Sequence, residues 1–194
     1  SQRPRDYLKK FERPYQALLQ QGVQFYAALG NHDHPTQRFY EPFHLNGESY
    51  HTVKLNDRVQ LFVLDSSRLD VDQVDWLKSA LESSESPWKL VLLHHPLYSA
   101  GKRHGPDLGI RRALEPLLVA NGVDVVFAGH DHVYERKKPQ RGISHFVIGN
   151  SARVRKGNLR PDETTAVGFD DGYSFMLVEV RADGLHFQVI SDEF

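Results

Sequence analysis

Three short stretches gather residues suited to metal or phosphate chemistry: Gly30-Asn31-His32-Asp33-His34, His94-His95-Pro96 and Gly129-His130-Asp131-His132. Amide oxygens, imidazole nitrogens and carboxylate oxygens are donor atoms that borderline and hard cations accept, and they offer little to an apolar core. The chain has no cysteine and eleven histidines. Disulfides and thiolate sites are therefore excluded, and a transition metal would be held by His, Asn, Asp, Glu or Tyr. A single such stretch reads equally well as a polar loop. Three of one design in one chain point to a shared site.

Each stretch follows an apolar run of strand length: residues 23–29, 90–93 and 123–128. Such runs predict buried strands, broken here by Gly30 and Gly129. In open α/β sheets ligands bind at the carboxyl ends of strands, so the pattern predicts three loops meeting at one sheet edge. An extended course through His130-Asp131-His132 would turn both imidazoles to one side.

The remaining elements are those needed to hold such an edge. Tyr7, Leu8, Phe11, Tyr15, Leu18 and Leu19 recur at helical spacing, with Pro4 suited to the first turn, Pro14 kinking or splitting the helix and Gly22 ending it. Residues 35–47 form a loop packed over the site by Phe39, Tyr40 and Phe43. Residues 50–55 and 59–64 flank the Asn56-Asp57 turn as a hairpin. Val71, Val74, Leu77 and Leu81 mark one helix, and Ile110, Leu114, Leu117 and Leu118 mark another, ended by Asn121-Gly122. Residues 143–148 predict a strand, 149–172 an irregular loop, and 173–180 with 185–190 a hairpin around Ala182-Asp183-Gly184. The sum is one α/β domain with mixed sheets over residues 1–194, without repeats or a linker.

Charge and hydropathy exclude other classes. Twenty-four basic against 25 acidic residues leave a net charge of −1, so there is no field for nucleic acid or acidic membranes. No apolar run approaches the roughly 18 residues of a membrane span. The absence of cysteine leaves the compartment open, with export favoured over the cytoplasm.

The ordered set Gly30-Asn31-His32-Asp33, Val91-Leu92-Leu93-His94 and Gly129-His130-Asp131-His132 resembles the last three signature blocks of the calcineurin-like metallophosphoesterases. Pro96-Leu97-Tyr98-Ser99 and Val133-Tyr134-Glu135-Arg136 resemble the purple acid phosphatase branch. That family opens with Asp-x-His or Asp-x-Gly and then Gly-Asp blocks. None of the 29 residues before Gly30 shows either, so the chain resembles the C-terminal part of the domain. The resemblance implies a four-layer sandwich, N-terminally truncated, and a dinuclear centre of Fe, Mn or Zn, with a single ion in this chain as the alternative. It also implies hydrolysis of phosphate monoesters through a metal-bridging hydroxide.

The resemblance places Asn31, His94 and His130 on one metal and His132 on the other. His32 matches the family histidine that contacts phosphate and protonates the leaving group, a role suited to an imidazole near its pKa. His104 follows the Pro96–Ser99 stretch as a second substrate-side histidine does in small acid phosphatases. Asp33 either orients His32 or caps a turn, and His34 is a further orienting candidate. His95 is expected to stand apart as a non-ligand, because adjacent side chains diverge. Arg141, Arg153, Arg155, Lys156 and Arg160 read first as a solvated basic loop. Three readings follow: a phosphomonoesterase, a phosphodiesterase of the same family, or a silent fragment that self-associates or pairs with a missing N-terminal segment.

Overall fold

The computed structural model describes residues 3–192. The N-terminal helix is split as Pro14 requires: α1 (Pro4–Tyr7) runs into a π-helical turn (Leu8–Glu12), and α2 (Gln16–Gln20) follows after a break. The chain then passes through β1 (His51–Asn56), β2 (Val59–Val63), α3 (Val71–Glu82), β3 (Trp88–Leu92), α4 (Leu108–Ala120), β4 (Val125–Ala128), β5 (Tyr134–Lys137), β6 (Ser144–Ile148), β7 (Thr165–Phe169), β8 (Ser174–Val180) and β9 (Leu185–Ser191). Asp70 caps α3 through Gln73 N at 2.9 Å. Asp107 caps α4 through Gly109 N and Ile110 N, also at 2.9 Å.

Seven strands form a mixed sheet in the order β1-β2-β3-β4-β6-β5-β7. The pairs β2–β3, β3–β4 and β4–β6 are parallel, and β1, β5 and β7 run antiparallel to their neighbours. Alternating side chains on the central strands feed two cores. Phe62, Val91 and Val126 face α3 and α4, meeting Leu77, Leu81, Leu114 and Leu118. Leu90, Val125 and Phe146 face the hairpin β8–β9 and meet Met176, Phe187 and Val189.

Three expectations change. Residues 23–29 form no ladder. They run beside the π-helical turn, where Phe25 packs on Phe11 and Tyr15 with ring centroids 4.9 and 5.3 Å apart. Apolar content of strand length reports burial among aromatics here, since a strand also needs a pairing neighbour. Residues 149–172 contain β7, which pairs with β5 through backbone bonds and so carries no clear alternation as an edge strand. The expected four layers are three among the described residues: helices, the seven-stranded sheet and the hairpin. The outer face of the hairpin leaves Phe175 55%, Leu177 44% and Ile190 39% exposed. No helix among the described residues is long and apolar enough to cross a membrane.

Candidate metal centre

The parallel strands β2, β3 and β4 end at one edge, and the backbone ladder continues past their ends. Leu93 N donates to Phe127 O at 3.1 Å, and Gly129 N donates to His94 O at 3.1 Å. These bonds hold the His94 and His130 loops side by side. The Asn31 loop crosses above them, closed by Asp33: its carboxylate accepts from Gly30 N at 2.9 Å, and Asp33 N donates to Gly30 O at 2.9 Å. Gly30 passes so close to the His94 ring that a Cβ there would lie 2.7 Å from Nδ1, so only glycine fits this crossing.

The result is a convergence of donor atoms. His94 Nε2 lies 2.9 Å from Asn31 Oδ1 and 3.0 Å from His130 Nδ1. Burial first, then the neighbouring histidines, lowers both His94 and His130 to a pKa of about 4. Both rings are neutral at neutral pH, with lone pairs available, and an amide oxygen completes a three-atom cradle. These residues fit one cation of the borderline kind.

His132 is half-buried near this group, and its Nδ1 has no hydrogen-bond partner. Burial, then Arg155 and Arg153, lowers its pKa. The segment around it is a turn, with Asp131 N on Gly129 O at 2.8 Å and His130 at φ 65°. The alternation expected from an extended course is therefore not what sets the two imidazoles. A left-handed backbone at His130 does so, at the modest strain such a conformation carries in a non-glycine residue.

Asp131 takes no part in the cradle. It is fully buried, and its carboxylate accepts from Ser99 Oγ at 2.7 Å and Gly105 N at 3.0 Å, with Asn158 Nδ2 at 3.5 Å. It secures the loop that carries His104, whose ring lies 4.1 Å from that of His130. His104 and His32 are both exposed at the rim. His34 Nδ1 accepts from Thr36 N at 3.3 Å and lies 2.9 Å from Thr36 Oγ1, capping the turn that follows. Asp33 is spent on Gly30, which is the turn-capping alternative.

His95 departs from expectation. Its ring lies 4.8 Å from that of His94 and 4.5 Å from that of His130, so the adjacent side chains do not diverge. Among the described residues, His94, His95 and His130 form the one close group of three or more histidine or acidic donors. Ser66, at the end of β2, anchors it: Oγ lies 3.0 Å from His95 Nδ1 and accepts from the backbone N–H of His94 and His95. Sequence reasoning overlooked this serine, although Asp65-Ser66-Ser67 ends a strand at the same edge as the other motifs. A polar cavity of about 240 Å³ opens beside the group, lined by His95, Arg103, His104, Asp107 and His130.

The pattern defining the calcineurin-like phosphoesterases matches residues 4–134. The chain belongs to that family. Similarity to purple acid phosphatases is partial. Purple acid phosphatase 18 of Arabidopsis thaliana is 45% identical over 100 residues, covering 46% of this chain and 23% of the relative. Tartrate-resistant acid phosphatase type 5 of Rattus norvegicus is 25% identical over 175 residues, covering 74% of this chain and 53% of the relative. The chain thus spans about a quarter to a half of these relatives. In fold it is similar to purple acid phosphatase PPD1 from yellow lupin seeds, with a TM-score of 0.62 at 18% identity over 76% of this chain and 31% of that one.

Proposed function

We propose that this phosphoesterase acts on phosphate monoesters, with Asn31, His94 and His130 holding one metal ion and His132 directed at a second. The observation that carries the reading is the convergence of Asn31 Oδ1, His94 Nε2 and His130 Nδ1 within 3.0 Å steps. Bound ions supply Lewis-acid polarisation of phosphoryl oxygens and a nucleophile at neutral pH. The chain's own residues do the rest. His32 and His104 stand at the rim, where an imidazolium donates a hydrogen bond to the phosphate and gives its proton to the leaving alcohol oxygen. The wall of the polar cavity orients the ester. The bare outer face of β8–β9 is where the fourth layer of the family sandwich would rest.

A one-ion form is favoured by Asp131. Its carboxylate is committed to the Ser99–Gly105 loop, and the close donor group among the described residues, His94, His95 and His130, contains no carboxylate. The test is to load the purified chain with manganese, iron or zinc, then measure bound metal with hydrolysis of p-nitrophenyl phosphate and its bis-ester. The expected result is about one ion per chain and slow hydrolysis that favours the monoester. A faster diester reaction would move the assignment to a phosphodiesterase. Absence of bound metal would overturn the site, and two tight ions with ordinary turnover would overturn the one-ion form.

A further inference from the structure

A second cavity, of about 330 Å³, is lined by Lys102, Arg103, Arg155, Lys156, Gly157 and Asn158. Two segments distant in sequence build it, and their backbones are fastened together. Lys102 N donates to Asn158 O at 2.7 Å, Arg103 N to Asn158 Oδ1 at 3.0 Å, and Arg160 N to Ala100 O at 3.0 Å. Gly101 and Leu159 form a β-bridge. Asn158 is 4% exposed and reaches Asp131, the residue between His130 and His132. The basic loops are thus tied to the turn that carries the metal-type histidines.

The cations themselves have no ion-pair partner among the described residues, and the Asp131 carboxylate acts on Arg155 only weakly, after the opposing causes. Among the described residues, none of Lys102, Arg103, Arg153, Arg155 and Lys156 pairs with a carboxylate; the ion pairs engage Lys137, Arg141, Arg181 and His186 instead. Partial burial, followed by Arg103 and Arg153, holds Arg155 below the usual arginine pKa, which records the crowding. Like charges held on a fastened backbone repel one another, and a multiply charged anion would relieve them. Arg103 also lines the cavity of His95, His104 and His130, so the two cavities share a wall. The basic cavity has no aromatic lining on which a nucleic acid base could stack. That favours a compact polyphosphate over a nucleic acid strand.

We propose that the basic cavity is a subsite for a second phosphoryl group, so that the chain binds polyphosphorylated compounds (phosphoanhydrides or bisphosphate esters) in preference to simple monoesters. The placement of the first phosphoryl group at the histidines rests on the phosphohydrolase reading above; the charge arrangement of the second does not. The two guanidinium groups would take phosphoryl oxygens through paired N–H donors, and the two ammonium groups as point charges.

Calorimetric titration of the chelator-treated chain with inorganic orthophosphate and tripolyphosphate, at low salt, tests the subsite without turnover. Tripolyphosphate is expected to bind at least about tenfold tighter than orthophosphate, with Arg155→Ala/Lys156→Ala abolishing the difference. Lys54→Ala/Lys78→Ala removes the same charge from exposed positions elsewhere and is expected to change the affinity less than about twofold. Equal affinity for the two anions, equal losses in the two double variants, or tighter binding of a thymidine oligonucleotide would each overturn the proposal. A metal-loaded chain that binds tripolyphosphate as expected but cleaves neither pyrophosphate nor p-nitrophenyl phosphate would refute the phosphohydrolase reading and support the subsite.

Discussion

Ser66 determines which nitrogen of His95 carries the proton. Its Oγ accepts from His94 N at 3.1 Å and His95 N at 2.9 Å, and lies 3.0 Å from His95 Nδ1. With both lone pairs engaged, the hydroxyl has only its proton to offer, and Nδ1 receives it. Burial keeps the pKa of His95 below the ordinary value, so the neutral ring bears its own proton on Nε2. His95 is then a hydrogen-bond donor beside two histidines with free lone pairs. His95→Ala is expected to lower metal affinity by about tenfold, as loss of a hydrogen-bonding neighbour of the ligands does, while His94→Ala lowers it by well over about 100-fold. Long-range proton–nitrogen NMR of the diamagnetic chain should show the Nε2–H tautomer at His95 and a mixture in Ser66→Ala. Loss of the ion in His95→Ala would make that residue a ligand.

Asp131 is a structural anchor for the His104 loop. Removing its charge in Asp131→Asn forfeits charge-assisted bonds from Ser99 and Gly105, a loss of about 2–3 kcal/mol. Gly101→Ala attacks the same anchor sterically, because its Cβ would stand 2.2 Å from the Asp131 carboxylate. Thermal or urea denaturation should place both variants well below the parent. An unchanged midpoint in either would show that the loop is held by other means.

Lys137 and Glu135 form a buried pair at 2.7 Å, with side chains 1% and 0% exposed. Glu135 also accepts from Ala100 N at 2.7 Å and Thr165 Oγ1 at 2.6 Å, joining β5 to β7 and to the Ser99 loop. Lys137→Met leaves a buried carboxylate without its cation, and a cost of about 3–5 kcal/mol is expected. The double replacement Glu135→Leu/Lys137→Met should recover part of that loss in denaturation curves. No recovery would assign the cost to the Ala100 and Thr165 bonds.

His145 gives the fold an acid-sensitive position. It is 3% exposed, its Nε2 has no partner, and it packs on Tyr98 at 4.8 Å. Burial, with Arg111 adding to it, lowers its pKa from 6.5 to about 4. Arg111 also stacks 4.7 Å from the Tyr98 ring, and the Tyr98 hydroxyl donates to Glu115. A depressed folded pKa means that the unfolded chain binds the proton first. This contribution to stability is complete above pH 6.5 and is lost as the pH falls toward 4, by roughly 3 kcal/mol in all. Stability measured from pH 7 to pH 4 should fall less steeply in His145→Leu than in the parent. Parallel profiles would rule out His145 as a source of the acid sensitivity.

Much of the sheet was legible because its central strands are written in residues that satisfy two cores at once. Leu90 and Val91 are apolar on both faces, as are Val125 and Val126, and each run stops at a glycine or a histidine. His94 and His130 of the donor cradle were legible for the same reason, since they come at the ends of those runs. What escaped depended on partners that no local pattern names. β5 and β7 exist through backbone pairing, β5 with β6 and both with each other, and the run at 23–29 has no pairing neighbour among the described residues. Ser66 and His95 owe their roles to a contact across 29 residues. Arg155 and Lys156 line one cavity with Lys102 and Arg103 because the segment 158–160 folds back on that loop.

Asn31 and His94 are 63 residues apart, and His94 and His130 are 36 apart. No hairpin or helical unit of the chain contains two of these three residues, so the cradle is absent from every local folding unit. Contacts this distant must first overcome the loss of chain freedom, and they form once β4 has docked against β3. A cation held there as proposed would therefore meet its full set of donors in the finished fold and in little that precedes it. Its effect would fall on the rate of unfolding, so that metal-loaded chains are expected to open more slowly without being assembled any faster.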